Sequence, residues 1–253
     1  MFQFRFVYAV LGFITILVVL SGCKSQTVNS DNSQQEGNQE LTLSSEENDK
    51  KQTALYKIEC DLGDKFQCIK YGVSLKQGTG VLRNDAKAVA LFNLTCDEGI
   101  SLGCGHLGEM YLLGRGVIPN DDKAFELFED TCNRNESYGC ISLAWMYAKG
   151  RGTMQNYSKA AELYQSECNG DRVIGCAQLG YMYVQGKGLL QNTIKGVELI
   201  NKACRNQVAR GCGTLAYLYS KGLGVPLNNQ ESQKYFKLAC EYGDLKSCRM
   251  LVN

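Results

Sequence analysis

Residues 96–132 read CDEGISLGCGHLGEMYLLGRGVIPNDDKAFELFEDTC and contain one complete copy of a motif that repeats along the chain. A second Cys follows Cys96 after eight residues, and the next copy begins 36 residues later, at Cys132. Twelve of the 13 cysteines obey this rule, at positions 60 and 68, 96 and 104, 132 and 140, 168 and 176, 204 and 212, and 240 and 248. Self-similarity at a fixed period of this length is the signature of a stacked repeat architecture.

Each copy predicts two helices joined by a short turn. In the fourth copy, Leu179, Met182 and Tyr183 are spaced i, i+3 and i+4, which places three apolar side chains on one face of a first helix, helix A. Helix A is expected to end at a Gly-x-Gly pair, because a residue without Cβ can adopt the left-handed conformation that closes a helix, and the second Gly permits a sharp turn. An Asn four residues later is suited to cap a second helix, helix B.

These features recur in register in five copies. The first Gly of the pair stands at 78, 114, 150, 186 and 222, and the capping residue is Asn84, Asn120, Asn156, Asn192 and Asn228. A small residue also recurs inside helix A, as Gly72, Gly108, Ala144, Gly180 and Ala216. A larger side chain there would hold the paired helices apart.

The predicted fold is therefore all-α. About five to six 36-residue helix-turn-helix repeats form an α/α solenoid, in which each unit buries the apolar face of its neighbour. Residues 52–60 are expected to form a helix B without its partner, and residues 244–253 a final helix A, so that these two segments cap the array.

Two disulfide pairings are compatible with such a stack. One joins cysteines eight residues apart across the corner from helix B to the next helix A, and the other joins Cys68 to Cys96 across a hairpin. The second would leave Cys60 and Cys248 unpaired, so we predict the first, although sequence alone does not prove connectivity. The predicted pairs are Cys60–Cys68, Cys96–Cys104, Cys132–Cys140, Cys168–Cys176, Cys204–Cys212 and Cys240–Cys248.

Composition argues against several classes of ligand. The seven-residue spacer between paired cysteines is longer than zinc ligand spacings, so no metal and no cofactor are expected. His106 is the only His, and the residue at the equivalent position differs from repeat to repeat. We therefore expect His106 to face solvent and to act as neither ligand nor base. A formal net charge of +1 leaves no basic excess for nucleic acid.

Residues 1–22 predict a lipoprotein signal peptide. A single charge, Arg5, precedes an apolar run, and the sequence Leu-Ser-Gly-Cys that ends at Cys23 resembles the bacterial lipobox, whose Cys receives a lipid after cleavage. A membrane-spanning anchor is the alternative, because a slightly longer run could cross a bilayer if tilted.

Residues 23–48 are polar and without period, so they are predicted to be a flexible, lipid-anchored tether. Residues 49–253 then form the repeat domain. A lipid anchor and disulfides together predict a bacterial envelope protein, periplasmic or on the surface, or one that is secreted.

The repeats resemble Sel1-like repeats, which are relatives of tetratricopeptide repeats. The residues that carry the resemblance are Leu107-Gly-Glu-Met-Tyr-Leu-Leu-Gly-Arg-Gly-Val117, followed by Asn120-Asp-Asp-Lys-Ala-Phe-Glu-Leu-Phe128. The 36-residue period with paired cysteines is similar to the Helicobacter cysteine-rich proteins, over about residues 50–253. The resemblance implies an adaptor for proteins, while that cysteine-rich branch is often labelled penicillin-binding protein or β-lactamase.

The sequence offers no catalytic residues for the enzyme alternative. A serine β-lactamase needs a nucleophile with a nearby base, usually within S-x-x-K, and the one such motif spans Ser21 to Lys24, where Ser21 would leave with the signal peptide. A metallo-β-lactamase needs several His or acidic ligands. We therefore expect a binding protein, and no catalytic residue is assigned.

Binding is expected on the face of helix A opposite the repeated apolar stripe, where residues vary from unit to unit. By analogy with tetratricopeptide solenoids this face lines the concave groove. Trp145, Tyr181 and Tyr217 share one column there, and amphipathic rings are favoured interface anchors. The candidate binding residues for a protein, peptide or peptidoglycan strand are Trp145, Tyr181, Tyr217, Glu109, Lys149 and Gln178. The alternative is that the aromatic column is partly buried against helix B of the same unit.

Two further columns are too regular to form a site. A Tyr column in helix A is expected to pack, and it comprises Tyr111, Tyr147, Tyr183 and Tyr219. A Lys column lies in the first turn of helix B, where the helix dipole disfavours a cation, and its recurrence is unexplained by the sequence; it comprises Lys87, Lys123, Lys159 and Lys195.

Overall fold

The computed structural model describes residues 33–169 and 172–251, with side chains from residue 45 onward. Within these ranges the chain forms twelve α-helices and no strand, so the all-α prediction is confirmed. The predicted signal peptide, Cys23 and the first part of the predicted tether lie outside the described residues.

The helices alternate as predicted between A and B types. The A helices are α2 (Lys65–Gln77), α4 (Ser101–Leu113), α6 (Ser137–Lys149), α8 (Cys176–Gln185), α10 (Ala209–Lys221) and α12 (Leu245–Leu251). The B helices are α1 (Ser33–Asp61), α3 (Asp85–Asp97), α5 (Asp121–Asn133), α7 (Tyr157–Ser166), α9 (Thr193–Arg205) and α11 (Asn229–Glu241). Five complete A–B hairpins therefore lie between the end of α1 and the short α12.

The chain divides into two compact units, residues 1–43 and 44–253, and the second contains the repeat array. Helix α1 begins at Ser33, so the segment predicted as a flexible tether is helical over its described part. The side chains of residues 45–50 are exposed, so this part of the helix buries no face and needs no periodic apolar residues. For that reason the sequence contained no sign of a helix here.

Both caps predicted for the hairpin turn are present. Gly114 adopts φ +63° and closes α4, and the same left-handed Gly ends every other A helix from α2 to α10. Asn120 accepts a hydrogen bond from the amide of Lys123 at 2.9 Å, and Asn192 accepts one from Lys195 at 3.0 Å. The turn is therefore specified locally.

The small residue of helix A allows close packing within a hairpin. A Cβ on Gly72 would lie 2.6 Å from Cε1 of Phe92, and one on Gly108 would lie 3.0 Å from Cε1 of Phe128. Both Phe side chains are fully buried. The glycine thus makes room for a large aromatic ring from the partner helix.

The second Gly of the pair has a role that the sequence did not reveal. A Cβ on Gly116 would lie 2.6 Å from the carbonyl carbon of Asp85, the first residue of helix B in the preceding unit. The residue between the two glycines makes contacts at the same place, because Arg115 pairs with Asp85 at 2.6 Å and Arg151 pairs with Asp121 at 2.5 Å. This turn therefore joins neighbouring units as well as reversing the chain.

Six disulfides connect the same pairs that the spacing predicts, each linking the end of a B helix to the start of the next A helix. Their Cα atoms are 4.4 to 4.7 Å apart. In the described residues no helix combines the length and apolar character needed to cross a membrane.

Candidate functional site

The A helices of neighbouring units contact one another, and the surface that they form together is called the inner face of the array. Helix α4 contacts α6 and α8 contacts α10, in addition to the contacts between helices adjacent in the chain. The predicted binding residues lie on these A helices, so packing brings one unit's variable column beside that of the next.

Tyr181 of α8 and Tyr217 of α10 form an aromatic pair on this inner face. Their ring centroids are 6.3 Å apart and the rings are arranged edge to face. Tyr217 is 39% exposed and Tyr181 is half-buried, and this partial burial, with the neighbouring Tyr217, raises the pKa of Tyr181. The pair offers aromatic surface to a partner without being part of the core.

A cavity of about 420 Å³ opens beside this pair. Its walls come from α8, α10, α11, α12 and the turn before α12, and the lining residues include Tyr181, Tyr217, Arg210, Thr214, Phe236, Lys246 and Met250. The cavity combines apolar walls with two cationic side chains and one carboxylate, that of Asp244.

The other predicted binding residues differ in their exposure and in their contacts. Trp145 is half-buried and packs against the core around Phe128, and Arg151 lies over its ring at 5.8 Å. Lys149 is exposed at the end of α6. The side-chain amide of Gln178 is oriented so that both its nitrogen and its oxygen have hydrogen-bond partners. Its oxygen accepts a hydrogen bond from Nε of Arg210 at 3.3 Å, so Gln178 contacts a residue that lines the cavity.

Glu109 is engaged inside the array. Its carboxylate binds Nζ of Lys76 at 2.6 Å and accepts from the hydroxyl of Tyr138 at 2.6 Å, and these three residues come from α4, α2 and α6. Lys76 is only 7% exposed. Glu109 thus links three successive A helices instead of presenting a free charge.

The expectation that His106 faces solvent is wrong. Its ring lies between Phe92 at 5.0 Å and Tyr138 at 5.1 Å, and its side chain is 15% exposed. Nδ1 is 3.7 Å from Glu109, beyond hydrogen-bonding distance, and has no hydrogen-bond partner in the described residues. Variation at this repeat position did not report burial, because in this unit the B helix α3 and the neighbouring A helix α6 each supply a ring that covers His106.

This polar cluster is unsuited to acid-base chemistry at neutral pH. Burial alone would raise the pKa of Glu109, but contacts with His106, Lys76 and Tyr138 outweigh it and lower the pKa to about 2, so the carboxylate is a weak base. Burial and the adjacent carboxylate raise the pKa of Tyr138, which keeps its hydroxyl protonated. No arrangement in the described residues favours the β-lactamase alternative, and Ser21 and Lys24 lie outside them.

The described residues also contain no group of three or more His, Cys, Asp or Glu side chains placed to hold a metal ion.

The Lys column is explained by the Tyr column. Lys123 lies 4.6 Å from the ring centroid of Tyr111, and Lys195 lies 4.4 Å from that of Tyr183. Lys159 repeats this arrangement on Tyr147. In the first unit Leu75 takes the place of the Tyr, and Lys87 lies over Tyr71, which is outside the Tyr column. A cation–π contact between the two helices of a hairpin offsets the unfavourable dipole at the start of helix B.

Sequence reasoning missed the two cations of the cavity, although a signal was present. The second residue of each A helix from α2 to α6 is apolar or aromatic, as in Phe66, Leu102 and Tyr138, and Ile174 takes the same position in the next copy. Arg210 and Lys246 occupy this position in the last two copies. The change from an uncharged to a cationic residue at this position is the sequence signal for the cavity.

Comparison with known proteins agrees with the architecture. The Sel1 repeat profile matches residues 68–100, 101–135, 137–166, 173–208 and 212–244, which is more than half of the chain. No curated protein sequence matches the chain. Sel1 repeat proteins are typically protein-interaction scaffolds.

Solved structures show the same fold. A protective antigen present in uropathogenic Escherichia coli strains is 26% identical, with a TM-score of 0.56 over 78% of this chain and 42% of that chain. The present chain therefore spans less than half of that relative's length. A Sel1 repeat protein from Oxalobacter formigenes is 20% identical, with a TM-score of 0.61 over 75% of this chain and 78% of that one.

Helicobacter pylori cysteine rich protein B is also among the similar structures. It is 22% identical over 67% of this chain and 96% of that one, with a TM-score of 0.33, which adds nothing to the argument about the fold. Because the Sel1 repeat matches cover more than half of its length, the chain belongs to the Sel1 repeat family.

Proposed function

We propose that this protein is a scaffold that binds a protein or peptide segment along the inner face formed by its A helices. The observation that carries the proposal is the exposed Tyr181–Tyr217 pair beside a cavity of about 420 Å³. Tyr is enriched at protein interfaces because its ring supplies large contact area and its hydroxyl supplies a hydrogen bond.

The rigidity of the array supports this function. Disulfides at every B-to-A corner and Arg–Asp pairs between units hold the A helices in register. A preorganised surface loses little conformational entropy when it binds an extended segment. The family's general role in protein interaction points in the same direction.

The test is selection of binders from a random dodecapeptide display library. We expect sequences to be enriched, and a variant with both Tyr181→Ala and Tyr217→Ala to bind them at least about tenfold more weakly, since two aromatic anchors are lost. Trp145→Ala is expected to have a smaller effect because Trp145 is packed against Arg151. A matched control is Tyr157→Ala, on helix B, with far-UV circular dichroism recorded for every variant.

Absence of any enriched peptide, or equal binding by the double variant, would refute this proposal. Soluble peptidoglycan fragments measured on the same variants extend the test to the glycan partner, and tighter binding of these fragments than of any selected peptide would also refute it.

We further propose that the protein resides in the cell envelope, anchored by a lipid on Cys23. The proposal is supported by the lipobox-like sequence and by six disulfides, which persist in oxidising compartments. Metabolic labelling with a fatty acid, compared with Cys23→Ala, is the test. Lack of label on the unaltered protein would refute the anchor.

A further inference from the structure

The two cations of the cavity are a departure from the repeat that helix stability does not explain. Arg210 and Lys246 are each the second residue of an A helix, α10 and α12. A cation at that position is disfavoured by the helix dipole. The equivalent residue in the first four copies is uncharged. The stability of the helix therefore does not account for Arg210 and Lys246, and a role in binding is the alternative.

Both cations are accessible to a ligand, with Nε of Arg210 also donating to Gln178. Arg210 and Lys246 are exposed, and the described residues include no ion-pair partner for either one. Asp244 also lines the cavity, but its carboxylate accepts a hydrogen bond from the hydroxyl of Ser247 at 2.5 Å and caps the start of α12. The carboxylate that lines the cavity thus already has hydrogen-bond partners.

The charge of this end of the array is complementary to an acidic partner. Residues 201–253 contain eight Lys or Arg and three Asp or Glu, a net charge of +5, whereas the whole chain carries +1. Such a local excess steers an anionic segment toward the cavity and makes its binding depend on salt concentration.

We infer that the cavity binds an extended acidic peptide segment in which two carboxylate side chains flank an apolar or aromatic residue. The inference rests on the proposed function and specifies its partner. The apolar residue would contact Tyr181 and Tyr217, and the two carboxylates would meet Arg210 and Lys246.

The spacing follows from the stack. The two cations come from the A helices of successive units, α10 and α12. Side chains of an extended peptide alternate between its two faces, so two carboxylates that both face the cavity are an even number of residues apart in its sequence. A single C-terminal carboxylate could meet only one cation, so side-chain carboxylates are the groups that fit. A phosphate backbone lacks the apolar group that the walls of Tyr181, Phe236 and Met250 accept.

The experiment uses the same dodecapeptide library on the full-length protein and on charge variants. We expect selected peptides to be rich in Asp and Glu around an aromatic or aliphatic residue. Arg210→Met and Lys246→Met should each weaken binding of a selected peptide about tenfold, with the loss greatest at low salt. Lys237→Met, an exposed cation on α11, is the control and should change affinity less than twofold.

A charge reversal adds a readout that misfolding cannot imitate. Lys246→Glu should shift the selection toward peptides with a Lys or Arg in place of one acidic residue. If selected peptides depend on Tyr181 and Tyr217 but show no acidic preference, and Arg210→Met and Lys246→Met bind them normally, this inference is overturned while the proposed function stands. Failure to select any peptide overturns both, and stronger binding of single-stranded DNA than of the selected peptides overturns the inference in favour of a nucleic-acid partner.

Discussion

Glu109 shows how a single carboxylate can link three units of a repeat array. It occupies the column that holds Trp145, Tyr181 and Tyr217 in later units, but its neighbours are Lys76 and Tyr138 instead of open space. The same column can therefore serve binding in one unit and cohesion in another. The neighbours supplied by adjacent A helices decide which.

We predict that the stabilising effect of Glu109 depends on pH. Its folded pKa of about 2 is below the ordinary value of 4.5, so the stabilisation is complete above pH 4.5 and is lost as the pH falls through about 2. Glu109→Gln should lower the free energy of unfolding by about 2 to 3 kcal/mol at pH 7. The measurement is urea denaturation at pH 7 and pH 3.

At pH 3 the difference between the two proteins should be smaller. Glu126→Gln, at an exposed position on α5, is the control and should change stability little at either pH. A Glu109→Gln effect that is the same at both pH values would contradict the assignment.

The second Gly of the turn gives a test of unit-to-unit contact. Gly116 has φ +71° and its Cβ position is 2.6 Å from backbone atoms of Asp85, whereas Gly99 has φ +81° and its nearest neighbour is 3.8 Å away. Gly99→Ala should cost about 1 kcal/mol, from the left-handed conformation alone. Gly116→Ala should cost about 2 kcal/mol more, because backbone must also move. Equal destabilisation in denaturant titrations would contradict close contact between the units.

Between helices, a Lys–Tyr pair recurs at the start of helix B, where the helix dipole disfavours a cation. The dipole cost of a Lys there and the cation–π gain are each on the order of 0.5 to 1 kcal/mol, so they nearly cancel. The contact therefore contributes more to holding helix A against helix B than to net stability. The fifth unit differs, since Glu231 replaces the Lys and Tyr219 stacks on Tyr235 at 5.6 Å.

We predict that this cancellation appears in a double-mutant cycle. Lys195→Met alone should change the free energy of unfolding by less than about 0.5 kcal/mol, because it removes both effects. Combined with Tyr183→Leu, it should reveal a coupling of about 0.5 to 1 kcal/mol. The pair Lys237→Met and Tyr183→Leu, whose positions lie on separate units, is the control. Zero coupling for the first pair would contradict the interaction.

For the whole molecule, the disulfides define a covalently stapled stack. Each closes a loop between cysteines eight residues apart and, on the loop-closure account, removes about 2.5 kcal/mol of entropy from the unfolded chain. Because every corner between a B helix and the next A helix has a disulfide, this stabilisation is distributed along the whole array. Each disulfide also limits the movement of one hairpin relative to the next.

We predict that thiol counting detects none of the twelve repeat cysteines in denatured protein before reduction and all twelve afterwards. Replacing Cys132 and Cys140 together by Ser should lower the free energy of unfolding by about 2.5 kcal/mol and leave the helical content unchanged. Replacing Ser137 by Ala, at the start of α6, is the control for a neighbouring change. Free repeat thiols in the unreduced protein would contradict the stapled stack.

The sequence by itself determined the period, the two helices of each unit and their caps, and it favoured the disulfide pairing that the structure contains. These features depend on residues close together in the chain, such as Asn120 and Lys123 or Cys96 and Cys104, so spacing alone reports them. The repeated small residues Gly72 and Gly108 likewise predicted close helix packing before their Phe partners were known.

Only the tertiary structure decided which variable residues are exposed and which are buried. Arg210 lines one cavity with Tyr181, and Glu109 binds Lys76, across about one repeat of sequence. His106 is covered by rings from α3 and α6. Such contacts depend on how neighbouring units stack. A local sequence pattern carries no information about the distance between side chains of different units. The cavity and the buried cluster around Glu109 can therefore be identified only in the packed structure.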